Sequence, residues 1–447
     1  MLQKTATNLV FVCIISGLLL AGCGQKDATA IVVQEEVREK VNIVFWDENT
    51  GTDRTPYYRV LIKRFEEQNP NIHIEYIGLP KISAKQKIDT AIAVNDLPDV
   101  CGVPTSWVAD FAAQNVLLDL DTFFDQWDEK NKLSPSIIQS NRDMVLDKRL
   151  YQLPNTMNME ILWYRTDWLK EAGIKPPENW NDFFFTVEKM TDKDKKKYGF
   201  TIRGGDGAAI QLLRMMFAYS GLTNFWDEDG KCQINHPKHI EFVKKYMSLY
   251  KKYTPMSDIT NGYKEMIAAF DTGTVAMVQH NIGSYSQHNK FLKPEQYAPV
   301  PLPKTVDGRF IQESGNTNGY GIFKTTKHPK EAWRFVSFLC SQASQSYWNQ
   351  SIGQVPTHLD SLKEPWAKEL PHMQLVLQML SNPNLKFYQP PMYLPEYRSI
   401  FDQIGDPGIQ AVMTNKKSVE EFLNEWAAAF EKSKKKYDKY VTDKKNS

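Results

Sequence analysis

Apolar residues fall along the chain in two rhythms, one of period two and one of helical period. In "VNIVFWDEN", residues 41–49, Val41, Ile43, Val44 and Phe45 form a run that suits a buried strand. Tyr57 to Glu67 carries Val60, Leu61 and Phe65 at helical spacing and stops at Asn69-Pro70. "IHIEYIG" alternates as a second strand, Lys85 to Val94 reads as a helix, and Leu97 to Val103 reads as a third strand. Strand, helix, strand, helix, strand is the α/β signature of a mainly parallel sheet. Helices are then expected over Ser106 to Leu120 and Ile137 to Met144, and strands in "RLYQLP" and "MEILWYR". "PPENWNDFFFTVEKM" predicts a proline-started helix with Asn179 or Asn181 at its cap. "KYGFTI" predicts a strand, and Ala208 to Tyr219 an apolar helix. Helices around His239 to Tyr253 and Tyr263 to Asp271, strands in "TVAMVQ" and "GYGIF", and a helix over Lys330 to Ser341 follow. The C-terminal third is helical, including Val419 to Lys435, and its lysine-rich end is expected to fray.

The N-terminus has a different pattern. A short polar start with Lys4 precedes an apolar run from Leu9 to Leu20. That run has secretory length and falls short of the about 20 residues a spanning helix needs. It ends at Leu20-Ala21-Gly22-Cys23, which resembles the bacterial lipoprotein lipobox. The resemblance implies cleavage before Cys23 and lipidation of its thiol. The lipid would anchor the protein, since each buried methylene contributes about 0.8 kcal/mol. Gly24 to Lys40 is polar and reads as a tether.

Composition narrows the class. The chain has 447 residues, 42% hydrophobic and 24% charged, with a net charge of +1. The near-zero charge gives no electrostatic footprint for nucleic acid. With Cys13 in the signal and Cys23 lipidated, Cys101, Cys232 and Cys340 remain, without a CxxC pair. A disulfide framework or zinc site is not expected; buried free thiols are the simpler reading, with a single disulfide left open. Aromatic content is 12%, with 11 Trp and 20 Tyr, which suits both a core and flat amphipathic ligands such as sugars.

Catalytic motifs are missing. The sequence has no GxSxG elbow, HExxH pair or P-loop. His236 and His239 lack accompanying ligands, and "DEDG" at 227–230 fits a turn better than a calcium loop. No cofactor is expected.

Seven segments in order resemble the carbohydrate-type extracellular solute-binding proteins, family 1, of ABC importers. They are "IVFWDE", "RFEEQNPNIHIEYI", "NDLPDVCGVPTSWVADFAAQNVLLDLD", "RLYQLPNTMNMEILWYRTDWLKEAGIKPPENWNDF", "AAFDTGTVAMVQHNIGSYSQ", "NGYGIFKTTKHPKEAWRFVSFLCS" and "SIGQVPTHLD". They span nearly all of the chain beyond Val41. The chain departs from the family pattern at Tyr164-Arg165 and at His280, Asn281 and Gly283, near the expected ligand site.

The resemblance implies an α/β, periplasmic-binding-protein-like fold (type II-like), with two lobes, a hinge and a ligand cleft between them. The expected division is signal 1–22, lipidated Cys23 and tether 23–40, N-lobe 41–154 and 319–375, and C-lobe 155–318 and 376–447. Chain crossings are placed near Pro154-Asn155, near Gly319-Tyr320 and after about Leu375. Ligand contacts are expected from strand ends that face the cleft. These are Trp46, Asp47 and Glu48, Ser106 and Trp107, Asn158, Gly205 and Asp206, Asn281 and Tyr285, Asn316 and Asn318, and Tyr388 and Tyr393. Trp46 and Trp107 are equally open to a core role. The implied ligand is a sugar or oligosaccharide, captured without catalysis by a monomer and passed to ABC permease subunits. The implied location is the outer face of the cytoplasmic membrane, held there by the lipid on Cys23, as is typical of Gram-positive cells. The alternatives are another solute, such as a polyol phosphate or a peptide, for which Arg54 and Arg203 are the cationic candidates, and a lipid-anchored glycoside hydrolase.

Overall fold

A computed structural model describes residues 40–446, with side chains through residue 443. The apolar N-terminal run, Cys23 and the tether up to residue 39 lie outside the described residues. Among the described residues no helix is long and apolar enough to cross a membrane.

The predicted N-terminal alternation is present. Strand β1 (Val41–Asp47) leads into helix α1 (Thr55–Gln68), β2 (Ile72–Gly78), α2 (Lys81–Val94), β3 (Val100–Pro104) and α3 (Thr105–Ala113). Pro56 opens α1, where its missing N–H costs nothing. Eight strands follow: β4 (Leu153–Met157), β5 (Glu160–Arg165), β6 (Met277–Asn281), β7 (Tyr297–Pro301), β8 (Phe310–Glu313), β9 (Thr317–Ile322), β10 (Val355–Pro356) and β11 (Leu385–Tyr388).

The strands form two main sheets. The first has six strands in the order β10-β4-β9-β3-β1-β2, and the second three in the order β6-β5-β7. β1 pairs in parallel with β2 and β3, whereas β9 is antiparallel to β3 and β4. Both faces of the first sheet are covered. Ile43 and Phe45 pack with Tyr58, Phe65, Phe335 and Trp348 on one face. Cys101 and Val103 pack with Trp107, Phe111 and Leu117 on the other. The second sheet divides the same way. Leu162 and Met277 face the core built on the helix Ala208–Ser220, while Ile161, Trp163 and Val278 face Phe270 and Met373.

Local chemistry explains where elements depart from the expected ones. α3 ends at Ala113 because Asn115 takes a positive φ of 58° and Leu117 bridges to Phe323. "KYGFTI" contributes only isolated bridges, Lys197 to Asp192 and Tyr198 to Val275. Asn179, not Asn181, caps its helix, its side chain accepting from the Asp182 N–H at 3.0 Å. The last helix runs Val419–Asn446, past the point where fraying is expected. Cys101, Cys232 and Cys340 are free and buried, so no disulfide joins them.

The chain changes sheets at three places. β4 runs on through Met157 in the first sheet, and β5 opens the second at Glu160. The return lies between β8 and β9, at residues 314–316. β10 still pairs with β4, whereas the helix Pro371–Leu380 packs in the core of the second sheet, so the last crossing lies between them, upstream of Leu375.

Candidate functional site

Because β1 and β3 run in parallel, the chain leaves both at their C-terminal ends and gathers its loops on one edge. That edge walls one side of a cavity of about 720 Å³. It supplies Asn49 to Arg54 after β1, Lys81 at the start of α2, and Ser106 and Trp107 at the start of α3. The opposite wall comes from the elements around the second sheet: Arg203 and Asp206, Arg214, Tyr263, and His280 and Asn281 at the end of β6. Asn158, Asn316 and Asn318 lie at the floor, where the chain passes between sheets.

Seven residues expected at strand ends line this cavity: Ser106, Trp107, Asn158, Asp206, Asn281, Asn316 and Asn318. The other seven do not. Trp46 follows Phe45 in β1, so its side chain points to the opposite face and packs with the α2 core, the Lys87 ammonium 5.2 Å from its ring. Asp47 and Glu48 are 1% and 5% exposed and sit behind the wall. Gly205 packs against the next segment, where an added Cβ would meet the Thr260 carbonyl at 2.4 Å. Tyr285 stacks on His372 at 4.2 Å, behind the cleft. Tyr388 is 1% exposed and stacks on Phe217 at 4.1 Å in the core. Tyr393 packs on Tyr437 at 5.0 Å.

The floor is held by hydrogen bonds between the crossing segments. The Asn158 N–H donates to the Asn316 carbonyl at 2.9 Å, and Gln354 Nε2 donates to Asn158 Oδ1 at 2.6 Å. Next to it lies a buried ion cluster. Arg214 contacts Glu160 at 2.7 Å and Glu313 at 2.5 Å, and Gln279 Nε2 donates to the second oxygen of Glu160 at 2.6 Å. Burial raises the Glu313 carboxyl above its usual range, against the pull of Arg214.

The walls are charged. Asp47 accepts from the Tyr76 hydroxyl at 2.7 Å and the Asn49 N–H at 3.0 Å. Burial, and then the neighbouring Glu48 charge, push its carboxyl up to about 6. The Lys81 ammonium lies 5.5 Å from the Trp107 ring, and burial lowers its pKa. On the other wall Tyr263 stacks on His280 at 5.5 Å and 5°, and the Arg203 guanidinium lies 5.8 Å from the Tyr263 ring. Burial, and then Arg203, hold the His280 imidazole well below its usual range and therefore neutral. Carboxylate oxygens of Asp206, Asp402 and Asp406 lie within 4.8 Å of one another. All three have other partners: Arg398 bonds Asp206 at 3.3 Å and Asp402 at 2.7 Å, while Asp406 accepts the Gly207 and Ala209 N–H groups at 2.8 and 2.7 Å. Asp406 thereby caps the helix Ala208–Ser220 from a distant segment.

Lys81 and Tyr263 were not among the expected contacts, and His280 stood out only as a departure from the family pattern near the site. The strand-end rule applied to β2 points to Lys81, the first residue of the next helix. Tyr263 opens a helix that follows no strand, so the rule does not reach it.

Comparison with known proteins fits this geometry. The family described as bacterial extracellular solute-binding protein matches residues 50–346, and the chain belongs to it. The multiple sugar-binding protein of Streptococcus mutans is 24% identical over 353 residues, covering 75% of this chain and 78% of its own. The mannitol-binding protein of Pseudomonas aeruginosa is 24% identical over 380 residues, covering 77% and 83%. A solute-binding protein from Thermotoga lettingae, solved with alpha-D-tagatose, aligns with a TM-score of 0.77 at 20% identity, over 88% of this chain and 100% of its own. The fold is the two-lobed α/β fold of the ABC transporter solute-binding proteins.

Proposed function

We propose that this protein captures a saccharide or polyol between its two lobes and delivers it to the permease of an ABC importer. The observation that carries the reading is the cavity of about 720 Å³ whose walls come from the elements around two distinct sheets and whose floor is made of the crossing segments. A ligand bridging such walls has more contacts in the closed form than in the open one, and that difference drives closure. Ser106, Asn158, Asp206, Asn281, Asn316 and Asn318 supply hydrogen-bonding groups for sugar hydroxyls, and Trp107 an apolar face. The names of the relatives from Streptococcus mutans and Pseudomonas aeruginosa support a sugar or polyol ligand.

The protein binds without turnover. Four of the lining carboxylates, Asp206, Asp271, Asp402 and Asp406, are engaged by Arg398, His288 or backbone N–H groups. A hydrolase would need a pair free to act on a glycosidic bond. The lobes are residues 41–157 with 317–356, and 160–313 with the C-terminal helices, and the chain works as a monomer. It is exported and held outside the cytoplasmic membrane by lipid on Cys23.

A thermal-shift screen of the chain against mono- and oligosaccharides and polyols tests the reading. A ligand that binds only the folded state stabilises it by about 2.7 kcal/mol at a hundredfold excess over Kd. One member of the panel is expected to raise the midpoint and to be recovered unchanged. No shift with any of them overturns the assignment.

A further inference from the structure

Cations converge on the cavity from both lobes. Arg54, at the start of α1, and Lys81, at the start of α2, line one wall, and Arg203 lines the other. Neither Arg54 nor Lys81 has a carboxylate within ion-pair distance among the described residues. Each rests instead against an aromatic face, Arg54 at 5.8 Å from the Trp348 ring and Lys81 at 5.5 Å from the Trp107 ring. Arg203 directs Nε to the Asp206 carbonyl at 2.5 Å, and the Asp206 carboxylate is 3.8 Å away. That carboxylate lies closer to Arg398, at 3.3 Å.

Most acids of the cavity have partners of their own, although Asp206 and Asp406 also act on Arg203. Asp402 and Asp406 are occupied by Arg398 and by backbone N–H groups, and Asp271 by His288 at 2.5 Å. Glu48 and Asp47 sit behind Arg54 and both act on it, and Glu48 acts on Lys81 as well. Asp53 is the remaining acid on that wall. The backbone adds to the positive side. α1, α2 and α3 all start at this wall without a side-chain cap and without an acidic residue in the first turn. Helices ordinarily place acids there, so these ends leave their positive dipole without an acidic side chain, although in α1 the Thr55 and Tyr57 N–H groups already donate to the Gly51 and Arg54 carbonyls. The cations also oppose one another. Lys81 is lowered first by burial and then by Arg398 and Arg54, and Arg203 by burial and then by Arg398 and Arg214.

We propose that the saccharide or polyol bound here carries an oxyanion, held by Arg54 and Lys81 on one lobe and Arg203 on the other. The inference rests on the saccharide reading above and narrows it. The oxyanion is a carboxylate, as in a uronic acid, or a phosphate ester. Both give charge-assisted hydrogen bonds with guanidinium and ammonium groups. Because the cations sit on both walls, the same group also favours the closed form over the open one.

The test is calorimetric titration of the full chain with matched pairs: galacturonic acid against galactose, digalacturonic acid against its neutral disaccharide counterpart, and glucose 6-phosphate against glucose. In the arm that binds, the acidic member is expected to bind at least about tenfold more tightly than its neutral partner. Which arm binds separates carboxylate from phosphate. The acidic-to-neutral ratio should shrink with added salt, and again in Lys81→Gln and Arg54→Gln. If a variant does not fold, the ratio and its salt dependence in the unaltered chain still decide. A neutral member that binds as tightly as its acidic partner overturns this inference and leaves the saccharide reading intact. No binding by any member, with no hit in the wider neutral panel, overturns both.

Discussion

Glu160 and Glu313 are joined through one arginine: Arg214 Nη1 lies 2.7 Å from the first and Arg214 Nε 2.5 Å from the second. Glu160 opens the first strand after the chain enters the second lobe, and Glu313 ends the last strand before it leaves. The pair therefore fixes the entry and exit strands to each other and gives the crossing segments a firm base. The side chains of Glu160 and Glu313 are each 3% exposed and that of Arg214 is 16% exposed. Removing one member of such a cluster leaves buried charge without a partner, at about 3–5 kcal/mol. Arg214→Met is expected to lower stability by that order in urea unfolding. Replacing all three with apolar residues of similar volume should recover most of the loss.

Asp47 gives stability a pH dependence of defined sign. Its carboxyl is raised from 3.8 to about 6 in the folded protein, first by burial and then by Glu48. Between pH about 4 and about 6 the folded chain holds a proton that the unfolded chain has released. This contribution therefore falls as pH rises through that window, by about 1.4 kcal/mol for each unit between the two pKa values. Asp47→Asn is expected to flatten the slope, read as unfolding free energy against pH in that range. An unchanged slope would place the proton elsewhere.

Gly102 makes room for Glu48. A Cβ at Gly102 would lie 1.9 Å from Glu48 Oε2 and 3.0 Å from its carboxyl carbon. Gly102→Ala must therefore displace the Glu48 carboxylate from its position behind the wall. The expected cost is about 1–3 kcal/mol of stability, with altered ligand affinity in the molecules that fold. Unchanged stability and affinity would mean that Glu48 has no fixed position behind the wall.

Tyr388 separates packing from binding. Its ring stacks on Phe217 at 4.1 Å, and its hydroxyl is buried without a hydrogen-bond partner. Tyr388→Phe is expected to be neutral or slightly stabilising, because it removes an unsatisfied group. Tyr388→Ala should cost about 3–5 kcal/mol through the cavity it leaves. Ligand affinity measured on folded Tyr388→Phe protein should match the parent; a marked loss would return Tyr388 to the site.

The first lobe was legible because its elements alternate cleanly and its parallel strands put their loops on one edge. Strand parity was harder to apply: β1 ends in three polar or aromatic residues, yet only the loop after them reaches the cavity. The edge strand β7 was hidden by Pro299 and Pro301, which it tolerates because it pairs with β5 alone. "FYQPPMYLPEY" has the look of a ligand loop, but Phe217 and Tyr437 arrive from distant segments to bury its tyrosines. Local sequence carries no trace of such contacts. The same holds for Asp406, whose capping of a helix about two hundred residues away could be seen only in three dimensions.

The central claim is capture by closure between the lobes, and small-angle X-ray scattering measures it most directly. The radius of gyration is to be recorded with and without the saccharide identified in the binding screens. The account predicts a smaller radius on saturation, with the sugar recovered intact. A saturating sugar that leaves the radius unchanged would contradict it.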